Sequence, residues 1–145
     1  MYTLKNQGLL LYGESQNHIL PEISEEEIIL FLDNFLTSMR AHGKGGSLHS
    51  IDWLLLTAKF ICWLTEGTIL TKSEAADWGT KHLTGQWKDQ LPKAKELRKE
   101  PEKLKQTRYA SWINSLDQVI WEASADLEKL LHERKKIYLE NRPVQ

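Results

Sequence analysis

Between Ser50 and Glu66 the chain carries apolar side chains on every side of a helix. Leu54, Leu55, Ala58, Ile61, Cys62 and Thr65 share one face, and Leu56, Phe60, Trp63 and Leu64 share the other. A helix that is apolar all round has to be enclosed, so the remaining elements must pack around this one. It is not a membrane span. The most apolar stretch, Trp53 to Leu64, is interrupted by Lys59 and closed by Glu66, well short of the ~20 residues a bilayer requires. The chain has 145 residues, enough to bury roughly two-thirds of its unfolded surface in one ordinary core without disulfides or a structural metal. Its single cysteine, Cys62, sits among Phe60, Ile61 and Trp63, where a thiol behaves as a small apolar side chain. A reducing cytoplasm is the compartment that fits.

The elements around this central helix announce their own ends. Ser24 and Glu27 have the spacing of a capping box, and Ile23 and Ile28 that of a hydrophobic staple. They open a helix with the stripe Ile28, Phe31, Leu32, Phe35, Leu36 and Met39, which Gly43, Gly45 and Gly46 should end. Gly67 is placed to cap the central helix. Thr71 and Glu74 repeat the capping box and start a short helix through Ala75, Ala76 and Trp78 to Leu83. Thr84 is expected to cap the next helix, which contains Pro92 and must bend or restart there. From Pro101 a long final helix is expected to reach about Glu140, burying Trp112, Leu116, Val119, Ile120, Ala123, Leu127, Leu130 and Leu131. The one strand signal is Leu9 to Tyr12 between Gly8 and Gly13. Such a strand needs a partner chain, a second copy, or Tyr2 to Leu4 to satisfy its backbone. It is too short, and too soon followed by Glu14, for a signal peptide.

Charge excludes some functions and leaves others open. With 19 Lys and Arg against 20 Asp and Glu, the chain lacks the basic excess of a nucleic-acid binder. An acidic segment at 14–33 and a basic one at 93–108 read as solvated helix faces of opposite sign. Gly43-Lys44-Gly45-Gly46-Ser47 has the wrong spacing for a phosphate loop and follows no strand, so it reads as a flexible connection between helices. His49, Ser50 and Asp52 are the residue types of a hydrolase triad, but three neighbours at one helix start cannot all face one another. The five histidines never stand four apart, the spacing that would set two metal ligands on one helical face. Six tryptophans suggest an aromatic core, with Trp53 and Trp78 near helix starts where a ring can line a ligand cleft.

The stretch Glu66 to Trp78 resembles the C-terminal helical domain of the aminoglycoside adenylyltransferases, the streptomycin and spectinomycin resistance enzymes. The matching pattern is Gly67, an aliphatic residue at Ile69, Lys72, the small pair Ala75-Ala76, and Trp78. The likeness extends from Gly8 to Leu131. Gly8 to Gly13 looks like the family's interdomain strand, Pro21 to Met39 like its acidic-capped helix, and Leu55 to Leu64 like the helix that carries a cation, here Lys59. The resemblance implies adenylyl transfer from ATP to a drug hydroxyl, a reaction needing Mg²⁺ on paired carboxylates and a general base. In the family those groups belong to an N-terminal domain with a Gly-Ser and an Asp-x-Asp strand. Gly46-Ser47 before Asp52 only echoes that pattern, with no second Asp two residues on.

The expectation is therefore an all-α bundle of about five helices (residues 21–145) with a short strand-like N-terminal arm (1–20) and no catalytic nucleotidyltransferase domain. By resemblance, Lys59, Lys72 and Arg98 face the nucleotide, Lys72 matching the lysine that reaches its phosphates. Lys59 stands where the family has Arg, and Arg98 where it has an aromatic residue. Asp52, Trp53, Asp77 and Trp78 are the expected contacts for a cationic aminoglycoside, which calls for carboxylates and aromatic faces. Between the first two helices, however, Arg40, His42, Lys44 and His49 precede Asp52 with no acid among them. The chain is expected to bind neither metal nor cofactor alone, with ATP and Mg²⁺ implied by the family. Its partner would be a nucleotidyltransferase domain, or a second copy, meeting residues 8–13. The alternative is a stand-alone small-molecule-binding or homodimeric helical module without adenylylation activity.

Overall fold

The computed structural model describes residues 24–141, and the expected arm, together with Ile23 of the staple, lies outside them. Helix α1 (Glu25–His42) starts as its capping box requires: the Ser24 hydroxyl accepts from the Glu27 amide at 3.1 Å, and the Glu27 carboxylate accepts from the Ser24 amide at 3.0 Å. The same reciprocal pair, Thr71 with Glu74, opens α3 (Lys72–His82). Between them α2 (Leu48–Glu66) begins two residues before its expected start and ends on Gly67 in the left-handed conformation. Nine of its residues are buried, and α3, α4 (Leu91–Lys99) and α6 (Leu116–Asn141) pack around it. Apolar character on all faces thus has its expected meaning. Helix α1 meets α2 through rings: Phe35 lies edge-on to Phe60 at 4.8 Å, and Phe31 does the same at 5.4 Å. Cys62 is buried, and burial followed by the nearby Glu66 charge pushes its thiol pKa up, away from reactivity.

Two expected elements are different in the structure. Thr84 caps nothing: a 3-10 turn at Gln86–Gln90 intervenes, and Pro92 in the first turn of α4 is where the helix restarts. That turn sets Trp87 in the core, 1 % exposed, with its indole N–H donating to Asp126 at 2.7 Å. The long final helix is broken twice, into a 3-10 turn at Pro101–Lys105, α5 (Thr107–Asn114) and α6. Lys103 folds back onto Glu96 and Glu100, which tightens the first piece. At the second break the Ser115 hydroxyl and amide both turn back to the Trp112 carbonyl.

The break at Ser115 has a use. The Ile113 carbonyl accepts the Gly46 amide at 2.9 Å, and the Asp117 carboxylate accepts the Gly45 amide at 2.5 Å. The glycine segment expected to be a flexible connection is instead bolted to the junction of α5 and α6. Gly46 has φ +102°, and a Cβ on Gly45 would lie 2.5 Å from the Ile113 carbonyl oxygen, so both positions need glycine.

Helix α1 is tied to α6 by ion pairs. Arg134 takes both carboxylate oxygens of Glu25 and also donates to the Leu64 carbonyl, while Lys135 pairs with Asp33 at 2.7 Å. Arg40 forks onto Glu128 at 2.9 and 3.0 Å and lies over the Trp121 ring, which leaves that indole 54 % exposed and outside the expected aromatic core.

Gly45→Ala should destabilise the domain by about 1–3 kcal/mol, since the oxygen it strikes is backbone and cannot rotate away; chemical denaturation measures this. The hydrogen bond from Lys103, then that from Tyr109, lowers the Glu96 pKa below its ordinary 4.5, so its stabilisation is present above that pH and is lost as pH falls through the lowered value. Glu96→Gln should therefore flatten the acid limb of melting temperature against pH.

Candidate functional cleft

A cleft of about 490 Å³ opens where the α1–α2 loop, the first half of α2 and the start of α3 meet, within the size range of small-molecule sites. Its lining combines His42 at the end of α1, Lys44, Gly45 and Ser47 of the loop, His49, Asp52, Trp53 and Leu56 along α2, and Lys72 at the head of α3. Each is placed by a local cause. The Ser50 hydroxyl, fully buried, donates to the Lys44 carbonyl at 2.5 Å and accepts from the Ser47 amide at 3.3 Å, so the loop is closed against its own helix. Lys72 stands at the first position of α3 because Thr71 is the cap.

One carboxylate organises the charges. Asp52 accepts from the Lys72 ammonium at 3.1 Å and has the Arg98 guanidinium, arriving from α4, at 3.8 Å. Three of the residues expected from sequence, Asp52, Lys72 and Arg98, thus form one triad, although two were assigned to nucleotide and one to drug. Trp53 shares the cleft wall and touches Phe35, ring to ring, at 5.6 Å. Lys59, half-buried, is two turns further along α2 and outside the lining.

Asp77 and Trp78 also lie outside the lining. Asp77 is engaged by Lys95 at 2.8 and 2.9 Å. The Trp78 indole donates to Glu66 at 2.9 Å and stacks on His82, centroids 5.0 Å apart. The four residues expected at a drug site are therefore divided between two places.

His42, Lys44 and His49 belong to the cleft; the sequence presents them as basic residues between the first two helices, and as members of a metal set, a phosphate loop or a triad, without bringing them together as one wall. Their common signal is that they flank one glycine run. Ser50, weighed as a nucleophile, is buried and committed to the loop backbone. Among the described residues no group of three or more His, Cys, Asp or Glu is arranged to hold a metal ion, and no helix is long and apolar enough to cross a membrane.

The molecule is a helical bundle with a charged cleft at the head of its central helix. Family comparison narrows it: the model of the aminoglycoside adenylyltransferase C-terminal domain matches residues 18–123, and the chain belongs to that family. The matched stretch contains every residue that lines the cleft, together with Arg98. The family is described as the C-terminal domain of an aminoglycoside adenylyltransferase. Neither the curated proteins nor the solved structures yield a match.

The Asp52 triad is partly exposed, and ion pairs of that kind contribute little to stability. Asp52→Asn should change unfolding free energy by less than about 1 kcal/mol. A larger loss in urea denaturation would assign Asp52 to the fold and not to the cleft's chemistry.

Proposed function

We propose that this chain is the substrate-binding helical half of an aminoglycoside-nucleotidyltransferase-like enzyme, assisting ATP and aminoglycoside binding during adenylyl transfer without performing the chemistry itself. The observation that carries this reading is the convergence of Lys72 and Arg98 on Asp52 at the edge of the cleft. Asp52 holds two cations at one spot; together they leave a net positive charge suited to the phosphates of a nucleotide. Lys72 supplies a flexible point charge and Arg98 a planar fork. The family description supports the aminoglycoside as the acceptor class. Trp53 offers an aromatic face to it, and Asp77 and Trp78 along α3 are a second acceptor contact. Lys59, two turns beyond Asp52 on α2, is a further nucleotide contact in this reading.

Mg²⁺ does not fit the residues described. Adenylyl transfer calls for a carboxylate pair around the metal, whereas Asp52 is a single carboxylate already engaged by Lys72 and Arg98. In this reading the metal and the general base are furnished by a nucleotidyltransferase domain meeting residues 8–13, and the assembled enzyme confers aminoglycoside resistance in the cytoplasm. Lys72→Ala should then lower adenylyl transfer at least about tenfold in the presence of such a domain, ATP and Mg²⁺, because it removes a charge that acts on the transferring phosphates. Unchanged turnover would reject the role given to Lys72.

A further inference from the structure

The two flanks of α1 are finished differently. Toward α6 the helix is closed by charge, with Glu25 on Arg134, Asp33 on Lys135 and Arg40 on Glu128. Toward α2 it is closed by rings. Trp53 meets Phe35 at 5.6 Å, Phe35 meets Phe60 at 4.8 Å, and Phe60 meets both Phe31, at 5.4 Å, and Trp63, at 6.3 Å. The row is unbroken from Trp53, in the wall of the cleft, to Trp63 near the far end of α2. Of these rings only Phe60 is buried; Phe31 is 40 % exposed, and Phe35, Trp53 and Trp63 are partly buried. A contiguous apolar strip left open in this way marks an interaction surface.

Chain length says what lies on it. Residues 1–23 join α1 at Ser24, at the end where Glu25 and the Leu64 carbonyl meet Arg134, whereas the cleft opens beyond His42 at the other end. The 18 residues of α1 set the two about 27 Å apart. In the function proposed above, a nucleotidyltransferase domain meets residues 8–13 and has to bring its metal to the cleft. The ten residues 14–23 are then the tether that covers this span. Extended, they reach about 33 Å; as a helix they would reach about 15 Å and fall short. The tether must therefore run back along α1 in nearly extended form, and Pro21 favours extended backbone at Leu20. Its apolar side chains Ile19, Leu20 and Ile23 call for an apolar track, which the flank of rings supplies and the flank of ion pairs does not.

We infer that the aromatic strip between α1 and α2 is the docking track for residues 14–23 of this chain, which lie along it with Leu20 against Phe31 and Trp63 and deliver residues 8–13 to the mouth of the cleft. The inference rests on the proposed function for the tether's destination; the track itself is a property of this chain. A segment joined at Ser24 meets the strip at high effective concentration, which favours it over a separate molecule.

The test is a nitroxide spin label on the full chain at Gln16→Cys, read on the indole N–H signals of the tryptophans by NMR. Cys62 is buried and does not compete for the label. The Trp53 signal should lose most of its intensity and regain it when the nitroxide is reduced, while Trp121, across α1 on the ionic flank, loses much less. Adding Leu20→Asp should restore Trp53, because a carboxylate is not buried among rings without a partner. Phe31→Ser, at a half-exposed position, should weaken the effect by the same route from the other side of the contact. Three results overturn the inference: loss at Trp121 in place of Trp53, which assigns the segment to the ionic flank; loss at neither; or a Leu20→Asp chain that broadens Trp53 as before. Broadening of Trp53 in isotope-labelled chains that carry no nitroxide, when they are mixed with spin-labelled chains, assigns the strip to a second copy and overturns it as well. None of these readings involves ATP, Mg²⁺ or turnover, so the docking of residues 14–23 and the role of Lys72 can fail separately.

Discussion

The rest of the molecule depends on the attachment of two glycine amides to the junction between α5 and α6. Gly45 and Gly46 approach the Ile113 carbonyl so closely that a side chain at either position is excluded, one by contact and one by backbone conformation. That approach is possible because the chain breaks at Ser115: an unbroken helix would keep the carbonyls of its last turn for its own amides four residues on. The helix break and the loop are thus two sides of one contact. Through it, the α1–α2 connection becomes a fixed wall of the cleft, although it is rich in the residue with the greatest freedom.

The second organising feature is electrostatic. Asp52 sits where α2, α3 and α4 come together and offers its carboxylate to one cation from each neighbour, Lys72 and Arg98. The three helices would pack without it, because their contact is made by Leu54, Leu55, Ala58, Ala75, Ala76, Leu91, Ala94 and Leu97, all buried. What the carboxylate adds is direction: two flexible side chains are held toward one opening. Core and site are in this sense separate designs laid on one helix, with the apolar faces of α2 serving the first and its Asp52 to Leu56 edge the second.

How much of this was legible in sequence depended on the range of the interactions. Both capping boxes, the Gly67 terminus, the Pro92 restart and the central place of α2 rest on residues within a few positions of one another, and they were read correctly. The continuous helix expected from Pro101 to about Glu140 was wrong, because its apolar period is nearly unbroken at Ser115 and the cause of the break lies some seventy positions away, at Gly45. The same distance hid the fixed conformation of the loop that carries Lys44. The family likeness brought forward Asp52, Trp53, Lys72 and Arg98, which the structure gathers around one opening, together with Asp77 and Trp78, which lie apart and meet Lys95, Glu66 and His82. Periodicity says which residues face inward; it does not say which outward-facing ones meet.

Helix α1 is joined to α6 by charge at three places along the seam, Glu25 with Arg134, Asp33 with Lys135 and Arg40 with Glu128. The glycine loop at its end is held independently by Asp117 and Ile113. The two attachments therefore respond to different variables. Added electrolyte loosens the seam, while hydrogen bonds to the loop backbone are little affected. In amide exchange, α1 and the loop then belong to different opening units: the cleft keeps its wall while the helix leading into it breathes.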